Sequence, residues 1–232
     1  MTTTHLICLP YAGGNAYSYI GYEKYFNGKL NMINPELPGR GVEFGQPLIN
    51  DAFVLADRIF DKIAGKIFHQ PYAIYGHSMG SLLAYLITRR IEMEGLPAPV
   101  HLFCSGRKAP SLPTTNQYHK LPDPGLIAKL REYGGSPDEV LSNNEIMAIF
   151  LPIIRNDFEV SEAYEHQMGI KLNVPITVFI GNEDIVNYNE AAAWQNETYK
   201  KVNVLTYPGG HFFIFDHAAE ICNVILKNLI AL

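Results

Sequence analysis

Six short apolar runs, separated by longer amphipathic stretches, leave this chain few architectures to fold into. The runs are His5–Pro10, Asn31–Leu37, Tyr72–Tyr75, Val100–Cys104, Ile176–Ile180 and Val202–Tyr207. The third stops at Gly76, the fourth at Ser105-Gly106, the fifth at Gly181 and the sixth at Pro208-Gly209-Gly210. Runs that are short and apolar on both faces read as strands of a parallel sheet covered on both sides by helices. Helical periodicity is expected over Asp51–Phe68, Met79–Glu94, Asn189–Lys200 and Phe212–Leu229. Right-handed crossovers through these helices give an α/β fold with a mostly parallel, doubly wound sheet. The length of 232 residues suits one such domain.

The rhythm breaks between Arg107 and Val174, where no strand pattern appears. Pro110, Pro113, Pro122, Pro124, Pro137 and Pro152 punctuate this stretch, with helix-like pieces at Gly125–Tyr133 and Asn143–Gln167. Insertions after the carboxyl ends of strands sit over the ligand crevice in this architecture. Residues 107–174 are therefore read as a helical lid inserted into a core made of residues 1–106 and 175–232. A purely structural helical subdomain is the plainer alternative.

Gly76-His77-Ser78-Met79-Gly80 has the G-x-S-x-G form of the nucleophile elbow of α/β-hydrolases. Chance alone would produce that pattern in roughly one chain in ten of this length. Its weight comes from its flanks: a strand runs straight into it and a helix starts directly after it. A serine at such a turn projects its hydroxyl clear of the sheet, and glycines on both sides let strand and helix close around it.

A serine hydroxyl needs a base to act as a nucleophile near neutral pH. In this fold the order along the chain is serine, acid, histidine. Of eight histidines, only His211 and His217 follow the last expected strand. His211 lies on the flexible Pro208-Gly209-Gly210 turn, where a catalytic loop belongs, and His217 falls inside the next helix pattern. His77 is expected to pack below the site, and His5 and His101 to serve the strands they begin. Asp184 follows the Ile176–Ile180 strand and is the expected acid, holding the imidazole in the correct tautomer. Glu183 is its neighbouring rival; Asp157 and Asp216 are further candidates. A plain turn aspartate is the other reading of Asp184.

Pro10-Tyr11-Ala12-Gly13-Gly14 follows the first strand, where the second oxyanion donor belongs. The expected donors are the backbone N–H groups of Met79 and of Ala12, or Tyr11 one residue away. An ordinary strand-to-helix turn is the alternative. No G-x-G-x-x-G and no Lys-Ser/Thr follow, so Gly13-Gly14 is not a phosphate loop.

Composition closes off other classes. Hydrophobic residues make up 47% and charged residues 18%, as in ordinary globular proteins. A net charge of −5 argues against nonspecific nucleic-acid binding, which needs a basic surface. No run approaches a membrane span, and the amino terminus lacks the basic region of a signal peptide. Cys8, Cys104 and Cys222 match no metal spacing; Cys8 and Cys104 read as buried small hydrophobes of a reduced, cytoplasmic protein. No metal or cofactor is expected.

In eight segments the chain resembles the type II thioesterases that accompany nonribosomal peptide and polyketide synthases. They are Cys8–Gly14, Leu37–Gly41, Gly76–Gly80, Ser105–Pro110, Tyr133–Pro137, Leu151–Phe158, Gly181–Asp184 and Gly209–Phe213. They run in order along nearly the whole chain, and several lie outside the general hydrolase pattern. Asn156, where the family often has alanine, and Ser81 depart from it without touching Ser78, Asp184 or His211. The resemblance implies removal of stalled or misprimed acyl groups from the phosphopantetheine arm of acyl- or peptidyl-carrier domains. From charge and hydropathy no nucleic-acid or membrane partner is expected, and a single-domain monomer is the default expectation. Ser78 would attack the thioester, His211 would act as base and Asp184 as its orienting acid. Arg40, Arg107, Lys108 and Arg155 could dock an acidic carrier, or could pair internally. The alternatives are a product-releasing thioesterase, a small-molecule carboxylesterase and a non-enzymatic hydrolase-fold protein that binds carrier domains.

Overall fold

Successive residues of a strand point to opposite faces, and in this chain both faces are apolar. In the computed structural model, which describes residues 4–230, that alternation divides the core into two clusters. Ile7 and Leu9 of β1 (Thr4–Leu9) join one cluster; Leu6 and Cys8 join the other. Tyr72 and Ile74 of β3 (Tyr72–His77) likewise part from Ala73 and Tyr75. The remaining strands are β2 (Leu30–Ile33), β4 (His101–Ser105), β5 (Ile176–Gly181) and β6 (Val202–Tyr207). They pair in the order β2-β1-β3-β4-β5-β6, and every pair is parallel. This is the doubly wound α/β sheet expected from the apolar runs.

The helices in chain order are α1 (Glu23–Phe26), α2 (Ala52–Ile67), α3 (Met79–Met93), α4 (Asp123–Tyr133), α5 (Asp138–Leu141), α6 (Asn144–Glu162), α7 (Tyr188–Ala192), α8 (Phe213–Asp216) and α9 (Ala218–Ile230). Ala52, Leu55, Ala56, Ile59, Ile63 and Ile67 put one apolar stripe of α2 against the sheet. Each large aliphatic side chain so buried contributes about 1.5–3 kcal/mol. Asp51 starts the helix by accepting the N–H groups of Phe53 and Val54 at 2.8 and 2.9 Å, a cap worth about 1 kcal/mol. On the opposite face α9 buries Ile221, Cys222 and Ile225. All three cysteines are free and buried. Among the described residues no helix is long and apolar enough to cross a membrane.

Several boundaries differ from the periodicity. β2 ends at Ile33 rather than Leu37, because Pro35 has no N–H for a ladder; Leu37 is buried in the core all the same. The Asn189–Lys200 pattern yields only α7 followed by a 3₁₀ turn at Ala193–Asn196. There the buried Trp194 donates its indole N–H to Arg107 O at 2.9 Å. The final helical pattern breaks at His217, the C-cap of α8, whose Nε2 lies 3.2 Å from Pro208 O. Between β4 and β5 lie α4, α5 and α6, with α6 closing at Glu162 rather than Gln167. Pro152 sits inside α6 instead of in a turn. Its ring frees the carbonyl of Ala148, but Ala148 is exposed and water can take that bond. Burial of Met147, Leu151, Ile154 and Val160 holds the helix together through the interruption.

The backbone of α3 packs directly against the end of β1. A Cβ on Gly80 would lie 2.1 Å from Leu9 O, and one on Gly76 would lie 2.1 Å from Gly80 O. Backbone cannot swing aside as a side-chain tip can. Gly80→Ala is expected to destabilise the protein by about 3 kcal/mol or more, the upper range for overpacking. Chemical denaturation of the purified variant measures this.

Candidate active site

The chain runs from β1 to β2 on one side and then returns to β3 on the other side of β1, so the sheet has its switch point between β1 and β3. Ligand crevices form at the carboxyl ends of the strands at such a point. Leu9 pairs with Gly76, so the loop Pro10–Gly14 and the turn at Ser78 leave the sheet side by side. Two strands away, Gly181 of β5 pairs with Tyr207 of β6. The loops carrying Asp184 and His211 therefore also leave together.

Ser78 has φ 55° and ψ −114°, a conformation that costs a side-chain-bearing residue about 1–3 kcal/mol. The surroundings enforce it. Ser78 N–H donates to Ser105 O at 2.8 Å. The Ser81 hydroxyl lies 2.8 Å from Gly76 O and 2.9 Å from Ser105 O, and accepts the Ser105 N–H at 2.9 Å. Ser81, a departure from the resembled family, thus ties β3 to β4 beneath the turn.

His211 Nδ1 lies 2.9 Å from Asp184 Oδ1. An ionised carboxylate only accepts, so Nδ1 carries the hydrogen and Nε2 is left as the basic nitrogen. The Asp184 side chain is wholly buried and His211 is 8% exposed. Asp184 Oδ1 also accepts the N–H of Ile185 at 2.7 Å, while its Oδ2 has no partner. The two loops are laced by backbone: Asn182 Oδ1 accepts the Gly209 N–H at 2.9 Å, and Glu183 N–H donates to Gly209 O at 3.0 Å. A Cβ on Gly181 would meet Gly209 O at 2.3 Å, so glycine is required there. The rival acids lie elsewhere. Glu183 and Asp216 are exposed, and Asp157 is bound to Arg40.

His77 is buried under the site, its ring centroid 4.7 Å from that of His211 and its Nδ1 3.0 Å from Ser105 Oγ. Burial, and then the proximity of His211, hold its pKa well below the usual histidine value. It remains neutral and places no positive charge beside His211. His101 and His5 serve the strands, through Thr177 Oγ1 at 2.9 Å and Asn31 Nδ2 at 3.0 Å.

A cavity of about 550 Å³ opens over Ser78 and His211. Tyr11, Ala12 and Phe212 form its floor; Leu130, Met147, Ile154 and Phe158 from the β4–β5 segment form its apolar roof. Tyr133 at the end of α4 brings its ring centroid within 5.0 Å of that of His211. Gly135 follows it at φ 83°, where a Cβ would strike the Phe212 ring. The N–H groups of Ala12 and Met79 have no backbone carbonyl partner among the described residues; Met79 is the first residue of α3 and has no acceptor within the helix. Both remain free to donate.

Of the four basic residues, Arg40 is buried and forms a two-pronged pair with Asp157, Nη1 to Oδ2 at 2.6 Å and Nη2 to Oδ1 at 2.7 Å. Arg107 binds Ser161, with burial lowering its pKa to about 10. Arg155 binds the carbonyls of His119 and Leu121 together with Asp123. These three serve the interior, and Lys108, which reaches Pro113 O at 2.8 Å, is the fourth. What the sequence reading missed is that Asp157 also accepts the Gly13 N–H at 2.8 Å, inside the loop that carries Ala12. A lone arginine within the apolar Leu37–Gly41 segment was the available signal.

The family model of the thioesterase domain matches residues 4–229. The chain is 35% identical to the gramicidin S biosynthesis protein GrsT of Aneurinibacillus migulanus, over 97% of this chain and 88% of that one. Among solved structures it is similar to the type II thioesterase BorB of the borrelidin biosynthetic cluster, with a TM-score of 0.91, 34% identity and coverage of 98% and 93%. ClbQ from the colibactin NRPS/PKS pathway gives a TM-score of 0.93, 30% identity and coverage of 99% and 98%.

A serine activated by a neighbouring base reacts with fluorophosphonates, whereas an ordinary serine does not. Such a probe is expected to label the protein once, and Ser78→Ala not at all. His211→Ala should slow labelling by at least about 100-fold, the lower range for loss of a general base. Intact-mass measurement of the labelled protein reads both.

Proposed function

The chain belongs to the thioesterase family, and from that premise we propose that it is a type II thioesterase. Its substrates are acyl thioesters on the phosphopantetheine arm of carrier domains in nonribosomal peptide or polyketide synthesis. The reading is carried by one observation: the buried His211–Asp184 pair faces the cavity that holds the strained Ser78, in a chain similar over its whole length to enzymes of such pathways.

The chemistry follows from the geometry. Ser78 Oγ attacks the thioester carbonyl as His211 Nε2 takes its proton. Asp184 stabilises the imidazolium, and burial strengthens that attraction by excluding water. The N–H groups of Ala12 and Met79 receive the charge that develops on the carbonyl oxygen. Collapse of the tetrahedral adduct breaks the C–S bond, and the pantetheine sulfur leaves with the proton from His211. Water, deprotonated by His211, then attacks the acyl-serine and releases a carboxylic acid and free Ser78. The helices between β4 and β5 act as the lid: their apolar side chains accept the acyl group.

Mass spectrometry of an acetyl-loaded carrier domain tests this reading. The wild type is expected to remove the acetyl group, and Ser78→Ala to leave it in place. If the carrier stays acylated while a small ester is cleaved, the protein is an esterase and not a carrier thioesterase.

Lys108 is the one cation of the four whose pairing leaves it available to an acidic carrier at the cavity rim. Lys108→Glu is expected to raise KM severalfold for the carrier-bound substrate and to leave KM unchanged for a small soluble thioester. Steady-state kinetics on both substrates decides it; equal effects mean that Lys108 has no docking role.

A further inference from the structure

We propose that the buried Arg40–Asp157 pair is the positioning device of the oxyanion loop, an inference that rests on the hydrolase reading above. Asp157 stands in the middle of α6, with its carboxylate fully buried, and Arg40 is 5% exposed. The carboxylate takes three strong bonds: two from the Arg40 guanidinium and one, at 2.8 Å, from the N–H of Gly13. Arg40 Nη1 closes the circuit by donating to Gly14 O at 2.9 Å. The Ala12–Gly13 peptide, through its N–H, and the Gly14–Asn15 peptide, through its carbonyl, are thus held by a charged pair from outside the loop.

The consequence for Ala12 is geometric. Gly13 sits at φ +79°, where its Cβ-free backbone lies against Ile154 of α6. Within the loop, the bond from Gly14 N–H to Tyr11 O, at 2.8 Å, closes the turn but does not fix its orientation to the sheet. The Asp157 and Arg40 bonds supply that orientation. They aim the Ala12 N–H, one peptide bond away, toward the point where the thioester oxygen would sit. Donors to an oxyanion act only when held within a few tenths of an ångström of the right place.

Holding α6 in place is the competing role, and α6 has other ties for that. Arg107 binds Ser161, Arg155 binds the His119 and Leu121 carbonyls, and Asn156 Nδ2 donates to Ile49 O at 2.9 Å. Asp157 is the α6 side chain that reaches the oxyanion loop by hydrogen bond among the described residues. A buried ion pair replaced on both sides by apolar residues often leaves stability unchanged or raised. That property separates positioning from structural support.

The test compares wild type, Asp157→Asn and the double variant Arg40→Met/Asp157→Leu. The readouts are thermal melting, kcat and KM on a soluble acyl thioester, and inhibition by an alkylboronic acid. The boronate adduct on serine presents an oxyanion to the same donors. The double variant is expected to melt at or above the wild-type temperature, yet to lose about 100-fold in kcat with KM within threefold. Boronate affinity should fall by the same factor as kcat/KM. Recovery of wild-type kcat along with stability overturns the proposal, as does unchanged boronate affinity. Loss of the fold in both variants also overturns it, since the pair is then a stability element. An inert wild type would strike down the hydrolase reading itself, and this inference with it.

Discussion

The close approach of three backbone segments at the carboxyl ends of β1 and β3 is the constraint on which the site depends. Gly76, Gly80 and the carbonyl of Leu9 occupy space that no side chain could share. Because α3 can start so near β1, its first N–H groups face the loop that leaves β1. Because that start is so abrupt, Ser78 is forced to φ 55°. The strained turn at Ser78 and the N–H groups of Ala12 and Met79, unpaired among the described residues, are therefore products of one packing decision. The strain at Ser78 is held by bonds from Ser105 of β4 and Ser81 of α3, both fully buried.

The electrostatics follow from a second close approach. Gly181 lets the Asp184 and His211 loops touch through backbone, which places the carboxylate where water does not reach it. A buried carboxylate without a partner would be costly. The imidazole N–H of His211 and the Ile185 N–H supply its partners. His77 shows the complementary choice. It is packed as closely to His211 as any ring, but burial keeps it neutral. A cation there would oppose any positive charge on the His211 ring.

Much of this was legible in the sequence because it depends on local chemistry. Glycine-flanked turns after apolar runs mark the ends of strands, and Ser78, Asp184 and His211 all lie on such turns. Right-handed crossovers through the helices between them then give a parallel, doubly wound sheet; its strand order is written in no local pattern. Ends of elements were less legible where a tertiary contact decides them. The helix expected to Lys200 tightens at Trp194, whose indole reaches across to Arg107. Pro152 reads as a helix breaker, but the burial of one face of α6 outweighs the lost bond. Asp157 and Arg40 were the least legible. They lie 117 positions apart, and no local pattern indicates that one side chain will cross from α6 to bind the other.

The arginines also explain how so acidic a chain arranges its positive charge. The chain carries 18 lysines and arginines against 23 aspartates and glutamates, and Arg40, Arg107 and Arg155 are all turned onto α6 or its neighbouring turn. Arginine suits this work because its planar fork binds a carboxylate or two carbonyls at once. The roof of the cavity is thereby fastened to the β1 loop at Asp157, to the end of β4 at Ser161 and to the turn before α4 at Arg155. The apolar walls of the cavity thus have their positions set by charged bonds behind them. Lys108, by contrast, reaches a single carbonyl, that of Pro113, and lines the cavity itself.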